Sequence, residues 1–159
     1  LSGESGIDLG EAAAYRGFMA KSDSSGLHIC GYDARGAAQG LYYLEDVMYF
    51  ESAPAVPYRT VYKKPMFSPQ MIHSGFGVDQ YPDDYLARIA HEGRDAILVF
   101  VKDVNKTPTG YLDFNDLIRR AARYGLDVYA YSKLISEKNP EEPGAEEYYD
   151  NTYGRLFRE

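Results

Sequence analysis

The sequence has no tryptophan and one cysteine, Cys30, in 159 residues. A lone cysteine cannot close a disulfide within the chain, and it excludes a cysteine-based zinc cluster. Its neighbours in "LHICGY" are apolar, so Cys30 reads as a small buried hydrophobe. Positive charge is also short: 17 Lys and Arg against 24 Asp and Glu leave a net charge of -7. With no basic stripe to displace counterions from phosphates, no nucleic-acid partner is expected. No apolar run approaches the roughly 20 residues of a membrane helix, and Leu1 opens no signal-peptide pattern, so no membrane partner is expected either. The three histidines, His28, His73 and His91, fall on different segments and form no ligand set. The expectation is no metal and no other cofactor.

What is present is enough apolar material for a core, 45% of the chain, which sets disorder aside. Tyrosine is abundant, with 16 residues beside 7 Phe. Tyrosine-rich clefts bind sugars and peptides, but tyrosine also builds ordinary strands, and that plainer reading is preferred.

Along the chain, "AYRGFMAK" (14–21) and "LHICGY" (27–32) are strand-like and are joined by the turn "SDSSG". Asp33 then stands where a helix N-cap belongs, and Leu41, Leu44, Val47 and Met48 recur at helical spacing. "YRTVYKKPMF" reads as an extended linker, since Pro65 cannot continue a central strand.

After the linker the rhythm changes. "QMIHSGFG" (70–77) is a short strand, "YPDDYLARIAHEG" a helix stopping at Gly93, and "DAILVFVKD" (95–103) a strand buried on both faces. "DFNDLIRRAARYG" is a helix ending at Gly125, "LDVYAYSKL" another buried strand, and "GAEEYYDNTYGRLFRE" a last helix with Tyr149, Tyr153 and Leu156 on one face. Strands alternating with helices over short loops predict βα units and a parallel sheet. The expected class is α/β: a small α+β unit over residues 1–62, then three βα units of a parallel sheet over 63–159. A closed barrel needs eight units over roughly 250 residues. The sheet is therefore either a small open one or the front part of a TIM (β/α)8 barrel.

The glycines of "GYDARGAAQGLYY" raise a separate question, because a glycine loop before a helix can cradle a phosphate. Neither G-x-G-x-x-G nor G-x-x-x-x-G-K-[ST] is satisfied by Gly31, Gly36 and Gly40, and the stretch follows a hairpin. Packing is the better account, with Gly36 giving a turn and Gly40 admitting the helix close to the sheet.

The stretch from "GEAAAYRGFMA" to "GLHICGYDARGAAQGLYYLEDVM" resembles the end of the small α/β domain that precedes the barrel in glycoside hydrolase family 20. Asp33, Gly36, Gly40, Leu41 and Leu44 match that family's D-x-x-G-x-x-x-G-L-x-x-L helix, and "KKPMFSPQMIH" resembles its entry into the first barrel strand. Gln70 stands where the family carries a sugar-binding Arg, and "VFVKDVN" keeps only Asp103 of its H-x-S/T-D pattern. The Lys102–Asp103 pair also looks like the K-D-D segment of glycoside hydrolase family 84, and "VYAYSKL" resembles that family's third strand about as well as family 20's.

The resemblance implies cleavage of terminal N-acetylhexosamines with the substrate's own acetamido oxygen as nucleophile. Two enzyme carboxylates assist, an exception to the scheme in which a side chain attacks. In these families the pair sits at the fourth strand end, so the catalytic residues are expected outside this chain. What the chain would supply is substrate binding at its strand ends: His73 on the first, Lys102 and Asp103 on the second, Tyr131 on the third. Ser74, Ser132 and Lys133 stand beside them. Adjacent Lys102 and Asp103 point to opposite faces, so both reach a cleft only if the chain has already turned. A solvated loop charge is the alternative for that pair, and structural hydrogen bonding the alternative for His73. The implied partner is a carbohydrate, and the implied compartment is secreted or periplasmic. A non-catalytic carbohydrate- or protein-binding module of the same descent remains the alternative function. The open edge of a partial barrel adds self-association as an expectation.

Overall fold

A computed structural model describes residues 7–73, 80–132 and 138–154. The chain divides into two compact units, Leu1–Pro69 and Gln70–Glu159.

In the first unit, strands β1 (Phe18–Asp23) and β2 (Gly26–Gly31) form an antiparallel hairpin, and β3 (Arg59–Lys63) pairs antiparallel with the other edge of β1. Arg59–Lys63 is thus a sheet strand rather than the extended linker expected from Pro65. The strand stops before the proline and lies at an edge, where a following proline breaks no ladder. Helix α1 (Ala34–Glu51) packs on this sheet. Asp33 caps it as the spacing predicts, its Oδ1 accepting from the Gly36 amide at 2.7 Å.

Both Gly36 and Gly40 lie inside this helix and are buried. A Cβ on Gly36 would overlap the Gly17 carbonyl oxygen, and one on Gly40 would come 2.5 Å from Ile29 Cγ2. Gly36 is therefore a second point of close approach, not a turn residue. The glycines are there for helix-to-sheet packing. Cys30 is buried with Leu9 and Met19 in a small apolar cluster.

The second unit carries a parallel sheet in the order β4 (Met71–His73), β5 (Ala96–Phe100), β8 (Asp127–Tyr131). Helices α2 (Asp83–His91), α3 (Phe114–Arg123) and α4 (Ala145–Tyr153) follow these strands in turn. Glycines 93 and 125 follow α2 and α3 in left-handed conformations, φ 82 and 70. The α/β class and the three parallel strands are as the alternation of elements predicts.

Between β5 and α3 the chain adds a small hairpin, β6 (Lys106–Thr107) and β7 (Gly110–Tyr111), that the sequence pattern did not reveal. The core of this unit includes Ile97 and Val99 of β5, Leu86 and Ile89 of α2 and Leu117 of α3, all of them almost fully buried. The central strand β5 is buried on one face rather than on both as expected: Ile97 and Val99 are buried, while Leu98 and Phe100 on the opposite face are half-buried. Strand β8 is not buried: it is the edge strand, and Tyr129 and Tyr131 remain 42% and 48% exposed. Its apolar character marks a face that the three-stranded sheet leaves uncovered. No helix among the described residues is long and apolar enough to cross a membrane.

Candidate functional site

Parallel register sets His73 opposite Leu98 and Phe100 opposite Tyr131. Alternation along β5 sends Ile97 and Val99 to the buried side and Leu98 and Phe100 to the other. On that other face the rings of His73 and Phe100 meet edge-to-face, centroids 6.2 Å apart at 87°. Phe100 and Tyr131 repeat the contact at 5.4 Å and 83°. The first, second and third strand ends thus contribute one ring each to a continuous row. Edge-to-face pairing is the arrangement the aromatic quadrupole favours. Two of the sequence-predicted residues, His73 and Tyr131, stand at the two ends of this row. Phe100, which joins them, was not singled out; its place in the β5 alternation could have identified it.

Lys102 and Asp103 do not extend the row in the same way. The amides of both donate to the Lys106 carbonyl, at 2.8 and 3.3 Å, so the chain has already turned after Val101. Lys102 is exposed. Asp103 accepts from the Val104 amide through Oδ1 at 2.8 Å. It lines a groove of about 320 Å³ between α3 and the β5–β8 sheet, whose floor is Val99, Val101, Val128 and Ala130. Ser132 lines the same groove, while Ser74 and Lys133 lie outside the described residues.

Asn105 is the residue that ties this turn down, and sequence reasoning missed it. It is left-handed, φ 49, as asparagine tolerates. Its carbonyl accepts from the Leu112 amide at 3.0 Å and its Oδ1 from the Phe114 amide at 3.2 Å. Asp113 caps the same helix end by accepting from the Asp116 amide at 2.9 Å.

A second polar cluster joins α3 to the start of α2. The Arg120 guanidinium donates from Nε to Asp116 Oδ2 at 2.7 Å and from Nη1 to the Tyr81 carbonyl at 2.6 Å and Asp83 Oδ1 at 3.0 Å. Its Nη2 donates to the Gln80 carbonyl at 3.1 Å. The hydrogen bond from Arg120 holds the Asp116 carboxyl below its ordinary range.

The remaining histidines stand apart. His91 is in the last turn of α2, and His28 is exposed on β2. His28 Nε2 lies 3.4 Å from the Ser25 hydroxyl, but that hydroxyl donates to Asp23 Oδ1 at 2.5 Å. A serine whose proton is directed at a carboxylate across a hairpin turn is turn chemistry, not an activated nucleophile. Glu141, Glu142, Glu146 and Glu147 are exposed around the start of α4. Among the described residues no three His, Cys, Asp or Glu side chains stand together as a metal site.

No family model matches the chain, and no curated protein matches it. Solved structures do. A "Glycoside Hydrolase Family 20 beta-N-Acetylglucosaminidase" is similar at TM-score 0.59 and 16% identity, over 72% of this chain and 30% of that one. A beta-N-acetylhexosaminidase is similar at TM-score 0.56 and 11% identity, over 90% of this chain and 45% of that one. The structure of CpGH84B is similar at TM-score 0.66 and 14% identity, over 98% of this chain and 30% of that one. The chain thus spans less than half the length of each of these structures. At such identities the likeness is one of fold alone, a mixed α/β chain with a parallel sheet and helices.

Proposed function

We propose that residues 70–159 are the front part of a barrel glycoside hydrolase domain acting on N-acetylhexosaminides or related polysaccharide sugars, preceded by the end of its small α/β domain. The observation that carries this reading is the row His73–Phe100–Tyr131, lying where three parallel strands end, the position at which barrel sites are built. The fold likeness to two hexosaminidase structures supports it. His73 and Tyr131 would hydrogen-bond sugar hydroxyls, Phe100 would present an apolar ring between them, and Lys102 would add a charged donor from the neighbouring turn. Asp103 would hold that turn, since one of its oxygens serves the Val104 amide.

Titration with N-acetylglucosamine, read by ring and methyl NMR signals, tests the site. Shifts at His73, Phe100 and Tyr131 are expected, weaker with glucose, which lacks the acetamido group. Shifts confined to other residues, or none, would refute the assignment.

A binding role without catalysis in this chain is the second reading, because in the families it resembles the carboxylate pair belongs to the fourth strand end. The 159-residue chain is accordingly expected to leave p-nitrophenyl N-acetylglucosaminide intact. Inhibitor-sensitive turnover by the purified chain would place the acid within it.

A further inference from the structure

We infer that Arg120, remote from the strand ends in sequence and in contact with none of their rings, is a positioning residue for the His73–Phe100–Tyr131 row, acting through Tyr81 and the central strand. Its meaning for sugar binding rests on the reading above; the positioning itself does not.

Tyr81 is the link. Its side chain is fully buried, its ring stacks on Tyr85 with centroids 5.8 Å apart at 9°, and its backbone is left-handed at φ 44. A bulky residue keeps that conformation only where its surroundings over-determine it. Arg120 is part of those surroundings, because Nη1 donates to the Tyr81 carbonyl while Nη2 donates to that of Gln80. Asp116 on α3 and Asp83 at the start of α2 hold the guanidinium from two other sides. A planar fork can serve two carbonyls and two carboxylates together, which a lysine ammonium on its flexible stem cannot reproduce.

The far end of Tyr81 grips the sheet. Its hydroxyl donates to the Leu98 carbonyl at 3.0 Å, and Leu98 is the β5 residue in register with His73 on one side and Tyr129 on the other. Phe100, the middle ring of the row, lies two residues further along the same strand. The guanidinium therefore fixes the tyrosine, and the tyrosine fixes the strand at the level of the row.

The test compares Arg120→Met, Arg120→Lys and Tyr81→Phe with Leu117→Ala, which empties core on the same helix as Arg120 but leaves the guanidinium contacts in place. Ring signals of His73, Phe100 and Tyr131 are recorded in the full chain well below each variant's melting temperature. The row's ring signals are expected to move in Arg120→Met and Tyr81→Phe, to move nearly as far in Arg120→Lys, and to stay in place in Leu117→Ala. Lower melting temperatures with unmoved rings in Arg120→Met and Tyr81→Phe would reduce Arg120 to a structural bond and overturn the inference. Equal movement in Leu117→Ala would overturn it as well. Should Arg120→Met fail to fold, Tyr81→Phe, which removes a single hydroxyl, decides alone. N-acetylglucosamine titration separates the two readings. If the rings move but wild-type chain binds no sugar, the positioning stands and the sugar site fails; if both hold, Arg120→Met weakens sugar binding several-fold.

Discussion

Gly40 has Ile29 and Phe18 directly beneath its Cα. An added Cβ would meet Ile29 Cγ2 at 2.5 Å and Phe18 Cδ2 at 3.2 Å. Alanine ordinarily gains about 1 kcal/mol over glycine inside a helix, but overpacking a filled contact costs about 1–3 kcal/mol. Gly40→Ala is thus expected to lower the denaturation midpoint. Gly36→Ala is expected to lower it further, because the obstacle there is the Gly17 backbone carbonyl, which cannot rotate aside. A rise in midpoint for either variant would show that helix propensity outweighs the close approach. At Asp116 the acid range is informative. The hydrogen bond from Arg120 depresses its folded pKa, so its contribution is present above the unfolded value of about 3.9 and is lost as pH falls through the lower folded value. The gap in melting temperature between wild type and Asp116→Asn should be open at pH 7 and close on acidification toward pH 2. A gap that does not vary with pH would mean the carboxylate charge plays no part.

At the scale of elements, legibility followed local pattern. The α2 and α3 helices could be read because an apolar stripe and a terminal glycine agree in each, with Pro82 and the acidic Asp83 and Asp84 marking the start of α2, and β5 because its run "AILVF" is covered on the helix side and flanked by strands. The hairpin β6–β7 escaped notice because two-residue strands carry no period. Strand β3 was masked by Pro65, whose effect begins only after the strand has ended. The candidate site was half legible: His73 and Tyr131 follow from strand ends, whereas Asn105 acts through hydrogen bonds that close an irregular connection and Arg120 through hydrogen bonds to residues distant in the chain. Helix α3 allows a direct check of its burial pattern. Leu117 is fully buried while its neighbour Ile118 is 49% exposed beside the groove. Leu117→Ala is expected to cost about 2–5 kcal/mol and Ile118→Ala well under half as much. Similar losses at the two positions in chemical denaturation would mean that the groove is filled in solution.

For the molecule as a whole, the decisive feature is a parallel sheet that is not closed. Strand β8 pairs with β5 on one side, and among the described residues no strand pairs with its other edge. That edge spans Asp127–Tyr131, a run without proline, and the face beside it exposes Tyr129 and Tyr131. An unblunted edge offers a row of backbone donors and acceptors to any second strand, and natural sheets guard such edges with charge, proline or cover. Here the one charge in the strand, Asp127, sits at its start, away from the two tyrosines. Parallel sheets also need both faces covered, and among the described residues Ile97 and Val99 on one face of β5 are buried while Phe100, Tyr129 and Tyr131 on the other are not. In a longer chain carrying further βα units the next strand would pair with β8 and the barrel would enclose the tyrosine face. The 159-residue chain by itself is expected to self-associate, with β8 at the contact. Light scattering across a concentration series should report a mass that rises with concentration. Placing a proline at Ala130 or a lysine at Tyr129 should lower that mass, the first by removing an edge amide or disturbing the strand and the second by charging the exposed face. A monodisperse monomer at all concentrations would instead identify the sheet as self-contained and open, and would remove the structural ground for treating the chain as the front of a barrel.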